Sequence, residues 1–219
     1  MTEKKKMRGV WSAAPTPLKE DMNVDAGSIE RMVEHHLRLG VVGLFLAGTN
    51  GEGPWLPEQG LRTLTRSAVR AAAGRMIIAV QVTDNSAARI LDNIDRAAKD
   101  GADMAVIAPP YFAMSYASSG EREKRIENIY LEAVRRSPLP VGIYDRGTYS
   151  SVPVPEGVLA RVYREPNVKA VKDSSVMDSH MRIALSARKR RPALSLFCGY
   201  EFDCVKYLKA GYDGLLLGG

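Results

Sequence analysis

The run Val41-Val42-Gly43-Leu44-Phe45-Leu46-Ala47 empties directly into Gly48-Thr49-Asn50-Gly51-Glu52-Gly53-Pro54. A near-continuous apolar run of this length marks a strand covered on both faces, as the strands of parallel sheets are. Three glycines then make the turn, spaced Gly48-x-x-Gly51-x-Gly53. That spacing is neither the G-x-G-x-x-G of a dinucleotide-binding fold nor a P-loop, which would continue into Lys-Ser or Lys-Thr. An open doubly wound sheet carries such a fingerprint after its first strand, and the segment after Val10-Trp11-Ser12-Ala13-Ala14 has none.

Working outward, the same unit recurs. Upstream, residues 10–14 read as a short strand closed by Pro15 and Pro17. Asp25 to Ser28 supply helix-start chemistry, and Ile29, Met32, Val33, His36, Leu37 and Leu39 form a helical stripe up to Gly40. Downstream, helices are expected over 57–73, 86–99, 121–136, 155–163, 178–190 and 202–209. Strands are expected over 76–80, 103–108, 140–144, 168–172, 194–198 and 213–217. About eight strands alternating with seven helices argue for an α/β protein, a (β/α)8 TIM barrel, with residues 1–219 as one domain. The sequence stops at Gly218-Gly219, directly after the eighth strand. An eighth helix normally covers the seam between the last strand and the first. The expectation is therefore a shortened version of a longer protein, or a partner over that seam.

Composition fits this class. The 219 residues are 45% hydrophobic and 26% charged, ordinary for a globular protein. No apolar run approaches the length of a membrane span, and no apolar core follows the basic start Met1-Thr2-Glu3-Lys4-Lys5-Lys6. Cys198 and Cys204 are too few for a disulfide framework, so a cytoplasmic setting is expected. The formal charge of +6 favours anionic partners, carboxylate substrates among them. Nucleic acid is not expected, because no basic face carries interleaved aromatics. Arg188-Lys189-Arg190-Arg191 is expected to be a solvated helix end, where cations complement the helix dipole.

In a barrel of this kind, function sits at the carboxyl ends of the strands. Those positions hold Thr49-Asn50-Gly51-Glu52, Tyr111, Tyr144, Lys172 and Gly199-Tyr200-Glu201. In Val168-Lys169-Ala170-Val171-Lys172, two-residue parity puts Val168, Ala170 and Lys172 on one face and Lys169 and Val171 on the other. If the first face is interior, the Lys172 amine is desolvated, its pKa falls, and it becomes a candidate nucleophile for a carbonyl. A neighbouring phenol can shuttle the proton as the carbinolamine collapses, and a hydroxyl such as Thr49 can orient that phenol. A glycine-bracketed turn lets backbone N–H groups approach a carboxylate. No metal site is expected: of three histidines, His35 and His36 lie about 100° apart on one helix and cannot easily share an ion. Trp11 and Trp55 are expected to pack, and Cys198 and Cys204 to be a buried inert pair.

The combination of Val10-Trp11 with Thr16-Pro17, Gly48-Thr49-Asn50-Gly51-Glu52, Pro109-Pro110-Tyr111, Ile143-Tyr144 and Val171-Lys172-Asp173-Ser174-Ser175 resembles the dihydrodipicolinate synthase and N-acetylneuraminate lyase family of class I aldolases. The resemblance implies that Lys172 forms a Schiff base with pyruvate or another 2-keto acid. It further implies that Tyr144 shuttles the proton with Thr49 as its partner, and that no separate cofactor is used. Asn50, Gly51, Tyr111, Tyr149 and Gly199 are the implied substrate-binding positions. Family members are usually homotetramers built as pairs of dimers, with extra carboxyl-terminal helices, so a homo-oligomer is expected. The second-substrate half departs from the synthases: Asn50 stands where a second hydroxyl is usual, Phe112 where a second tyrosine is, and Tyr149 where an arginine binds the aldehyde's carboxylate, with Arg146 three positions early. The function implied first is a lyase or aldolase of a sugar-derived or other 2-keto acid, with an aldehyde as the possible second partner. Dihydrodipicolinate synthesis, dehydration of a keto-deoxy sugar acid, and a non-catalytic keto-acid-binding barrel remain as alternatives.

Overall fold

The computed structural model describes residues 7–112 and 118–218. Eight parallel strands close into a barrel in sequence order: β1 (Gly9–Ala13), β2 (Gly43–Leu46), β3 (Ile77–Gln81), β4 (Met104–Ile107), β5 (Val141–Asp145), β6 (Val168–Asp173), β7 (Ser195–Cys198) and β8 (Gly214–Gly218). Between them run α1 (Ala26–Arg38), α2 (Glu58–Ala72), α3 (Ala87–Lys99), α4 (Ser119–Arg136), α5 (Glu156–Val162), α6 (Asp178–Arg190) and α7 (Cys204–Ala210). Closure comes from β8 pairing with β1 over their whole length, Gly9 against Gly214 through Ala13 against Gly218. The expected elements are all present, displaced by a residue or two at their ends. Among the described residues no helix is long and apolar enough to cross a membrane.

Local chemistry starts the helices where the sequence supplies it. The Asp25 carboxylate accepts the N–H groups of Gly27 and Ser28 at the head of α1. Ser118 and Glu121 form a reciprocal capping box on α4, satisfying donors that an uncapped helix leaves orphaned. Apolar side chains divide into two layers. One fills the annulus between strands and helices, with Leu44, Ile78, Val141, Ile143 and Val171 facing Ile29, Leu64, Ile90 and Tyr130. The other fills the barrel itself, built from Trp11, Phe45, Met104, Val106, Ala170, Phe197 and Leu216. Trp11 lies across the floor with its ring 5.3 Å from that of Phe197. Position 43 must be glycine there, because a Cβ would stand 2.5 Å from the Trp11 ring.

Three expectations are corrected. Strict two-residue parity fails at the start of β6: the pairing with β5 shifts between Val141 and Gly142, so Val141 faces Val168 while Gly142 faces Ala170. Lys169 is the extra residue of a bulge, which breaks alternation locally. Val168 therefore joins the outer layer, while Ala170 stays inside. Trp55 does not pack as Trp11 does; it is 74% exposed in the short 3-10 turn Gly53–Trp55. The basic run at the end of α6 is not uniformly solvated. Arg191 donates to the carbonyls of Tyr163, Pro166 and Val168, and Arg188 ties Gly211 and Asp213 to the helix, leaving Lys189 and Arg190 exposed.

Candidate active site

Beyond the bulge, parity resumes and delivers Lys172 to the interior. The residue is 7% exposed and sits at the carboxyl end of β6, in register with Tyr144 on β5. Its Nζ lies 4.6 Å from the centre of the Tyr144 ring and 5.2 Å from that of Phe45. The Tyr144 and Phe45 rings meet edge to face at 5.8 Å, so the amine stands in an aromatic corner. No carboxylate bonds it among the described residues. Burial lowers its pKa from 10.5 to about 8, with the charge of Glu201 opposing the shift and that of Arg146 adding to it. At pH 7 about a tenth of such an amine is neutral, against roughly three in ten thousand for an ordinary lysine. The ring faces stabilise part of the protonated form, yet burial wins.

Gly199, at the end of β7, packs against the lysine stem. A Cβ there would stand 2.7 Å from Lys172 Cε and 2.9 Å from Cγ, and would overlap Ser174 Oγ. The absent side chain is thus what gives the lysine its channel. Ser174 donates its hydroxyl to the Gly199 carbonyl at 2.8 Å, and Gly199 N–H donates to the Asp173 carbonyl at 2.8 Å. Glu201 spans to the end of β8, accepting the Gly218 N–H at 2.8 Å. Beneath the amine, a void of about 20 Å³ is lined by Trp11, Met104, Ala170, Phe197 and Leu216. That volume suits at most one water, so a substrate must approach from the rim.

The loop after β2 is tightly wound. Ala47 and Glu52 adopt left-handed φ angles of 56° and 52°, uncommon for residues with side chains. Gly51 lies where a Cβ would meet the Ala14 carbonyl oxygen and the Ala47 nitrogen, both at 2.9 Å. Thr16 Oγ1 donates to the Gly51 carbonyl at 2.5 Å. Thr49 and Asn50 are exposed on this loop. Among the described residues, no hydrogen bond joins the Thr49 hydroxyl to Tyr144. Tyr111 is partly exposed, its hydroxyl accepting from Gln81 Nε2 at 3.3 Å, while Asn85 holds the Tyr111 and Phe112 amides. Burial of the Tyr111 phenol raises its pKa. Tyr149 is 61% exposed at the end of the 3-10 turn Gly147–Tyr149. The structure therefore brings together Lys172, Tyr144 and Gly199, and sets Thr49, Asn50, Gly51, Tyr111 and Tyr149 in the loops of the same rim.

The remaining reactive side chains have other employment. His36 bonds the Met32 carbonyl and the Ser12 hydroxyl, and His180 bonds Asp145. Among the described residues no cluster of three or more His, Cys, Asp or Glu is placed to hold a metal ion. Cys198 is buried, which pushes its thiol up to about 11, whereas Cys204 is only half-buried. Reading the sequence for a site passed over Asp145 and Asp173. Each directly follows a residue of the aromatic corner, on the opposite face of its strand.

A model of the dihydrodipicolinate synthetase family matches residues 6–216. The chain belongs to that family. Its relatives carry the names of both synthases and aldolases, so the family is one of lyases. The chain is 24% identical over 209 residues to 4-hydroxy-tetrahydrodipicolinate synthase of Exiguobacterium sibiricum, covering 95% of this chain and 69% of the relative. It is 25% identical over 214 residues to a probable 2-dehydro-3-deoxy-D-pentonate aldolase of Escherichia coli, covering 97% and 69%. Among solved structures, dihydrodipicolinate synthase from Thermotoga maritima superposes with a TM-score of 0.86 at 25% identity, over 97% of this chain and 70% of that one. The chain thus spans about two thirds of the length of the relatives it matches.

Proposed function

We propose that this family member is a class I aldolase or lyase in which Lys172 attacks the ketone of pyruvate or another 2-keto acid and forms a Schiff base. The observation that carries this reading is the amine itself, which is buried, bonded by no carboxylate among the described residues and brought to about 8 at the rim of a parallel barrel. The neutral amine adds to the carbonyl carbon. The resulting carbinolamine then loses its hydroxyl as water, leaving the imine, and a proton donor must face the departing oxygen. Tyr144 is the phenol beside Lys172 and takes that part. The loop after β2 is read as the cradle of the keto acid's carboxylate. Within the described residues the Asn50 and Gly51 amides have no internal acceptor, and the Asn50 side chain reaches toward the end of β8. Thr49 is assigned as the hydroxyl partner of Tyr144 once substrate is bound, and Tyr111 as a rim phenol. No cofactor beyond this covalent link is called for.

For the second half of the reaction we favour a sugar-derived or other 2-keto acid over aspartate semialdehyde. Tyr149 is exposed at the position where the resemblance puts a carboxylate-binding arginine, and the nearby Arg146 lies close enough to act electrostatically on both Lys172 and Tyr111. Dihydrodipicolinate synthesis is the alternative, as the names of several relatives suggest. We further propose a homo-oligomer, because Trp55, Phe112 and Tyr149 at the rim and Phe202 and Val205 near α7 expose large apolar area. The decisive test is trapping with pyruvate and borohydride followed by peptide mass spectrometry. An adduct on Lys172 is expected, and its absence from folded protein overturns the reading. Supplying pyruvate with a panel of sugar aldehydes and aspartate semialdehyde then selects the second substrate.

A further inference from the structure

We infer that Asp145, Asp173 and His180 are positioning residues: a buried hydrogen-bonded cluster on the outer face of β5 and β6 fixes Tyr144 against Lys172 on the inner face. The inference rests on the Schiff-base reading of Lys172. Its geometry comes from strand register. Tyr144 pairs with Lys172, and one residue on, Asp145 pairs with Asp173. Alternation turns the first pair into the barrel and the second into the helix layer. Two carboxylates in adjacent register, 3% and 1% exposed, repel unless both are supplied with donors.

Each receives three. Asp145 accepts from Gly147 N–H at 3.0 Å, Tyr163 O–H at 2.9 Å and His180 Nδ1 at 2.8 Å. Asp173 accepts from Ser175 N–H at 2.9 Å, Ser175 O–H at 2.7 Å and Tyr212 O–H at 2.7 Å. The bonds run to α6, to the residue that ends α5 and to the connection before β8, so three outer elements grip two strand ends. The Gly147 bond also closes the turn that carries Arg146. His180 is the only basic side chain bonded to either carboxylate among the described residues. The other charged or titratable groups facing it are Asp145 from β5, Asp173 from β6 and Glu156 from α5. Tyr130 from α4 and Tyr212 before β8 face the carboxylates. Burial disfavours the imidazolium, but the Asp145 bond and the surrounding carboxylates outweigh it and raise its pKa. Burial and the neighbouring Asp145 likewise raise the Asp173 carboxyl above its usual range, so the carboxylates and the imidazole all compete for protons within one hydrogen-bonded cluster.

A buried ionic cluster contributes little stability over an apolar replacement. Its position, one residue beyond each reacting side chain, instead fixes where those side chains stand. The test compares His180→Leu with His180→Asn, whose amide can donate to Asp145 as Nδ1 does. The readout is the rate of cyanoborohydride-trapped pyruvate adduct on Lys172 against pyruvate concentration, per folded molecule. His180→Leu is expected to lower the saturating rate about tenfold to a hundredfold, as small misplacements do, with little change in the half-saturating pyruvate concentration. His180→Asn is expected to recover most of the loss. Should His180→Leu not fold, Asp145→Asn carries the comparison, since it keeps the Gly147 acceptor and loses the charge. Saturating rates equal to wild type in the folded variants overturn the inference and leave the cluster a stabilising role alone. If wild-type protein forms no adduct, the Schiff-base reading fails separately. Acetic anhydride labelling of Lys172 against pH then decides: an upward-displaced titration in the variants supports positioning, and an unchanged one sinks it.

Discussion

On the inner face of β5 and β6, Tyr144 and Lys172 have rings and a glycine for neighbours, and among the described residues no carboxylate bonds the amine. One residue further, on the outer face, Asp145 and Asp173 are more deeply buried, and each is supplied with three hydrogen-bond donors. Burial of an ionisable group is costly in both places. The outer face offsets much of the cost with bonds, although burial and the neighbouring Asp145 still raise the Asp173 carboxyl. The inner face leaves it unmet, and the unmet cost appears as an amine that sheds its proton near pH 8. The difference separates a group held by bonds from a group whose proton affinity is lowered.

The contrast can be broken most completely at the amine. Lys172→Ala is expected to abolish the borohydride-trapped pyruvate adduct, read as the loss of the mass increment on that peptide. Tyr144→Phe keeps the ring and removes only the proton carrier, so trapping is expected to slow by about a hundredfold or more while the protein stays folded. Gly199→Val fills the lysine's channel. Displacement of the amine is expected to cost about a hundredfold in trapping rate, and the overpacking about 1–3 kcal/mol in urea unfolding.

The comparison is sharpened by stability against pH. The unfolded chain keeps the Lys172 proton to about 10.5 and the fold sheds it at about 8. Below 8 both states are protonated and the fold bears the whole burial cost; as pH rises toward 10.5 that cost disappears. Lys172→Met is therefore expected to stabilise the protein by about 3 kcal/mol at pH 7, with the gain fading between pH 8 and 10.5. A urea-melt series with a pH-independent gain would falsify the burial account of the amine. The smallest effect is expected at Trp55, which is exposed: Trp55→Ser should move the unfolding free energy of isolated chains by no more than about 0.5 kcal/mol.

Much of this was legible before folding. The apolar run at residues 41–47 and its repetition gave the parallel barrel, alternation turned Lys172 inward, and the strand ends put Lys172 and Tyr144 at its rim. The Val168 assignment failed because a bulge at Lys169 is a two-strand property, visible only when β5 is laid beside β6. Arg188 and Arg191 read as solvated charge, since the carbonyls they bind are exposed by loop geometry rather than by any local pattern. Trp55 read as core from its chemistry alone, while the tight turn around Gly53 points it outward.

The amino-acid sequence by itself determined the order of elements and the interior face of β6 beyond its bulge, because periodicity and turn chemistry are local. Only the tertiary structure decided that Gly199 shapes the channel of Lys172, and that Asp145 and Asp173 stand side by side with His180 between helix and sheet. It also decided that the amine is buried in an aromatic corner. Those facts depend on which strands become neighbours and in what register. No window along the chain contains that information, and the proton affinity of a buried group is set by it.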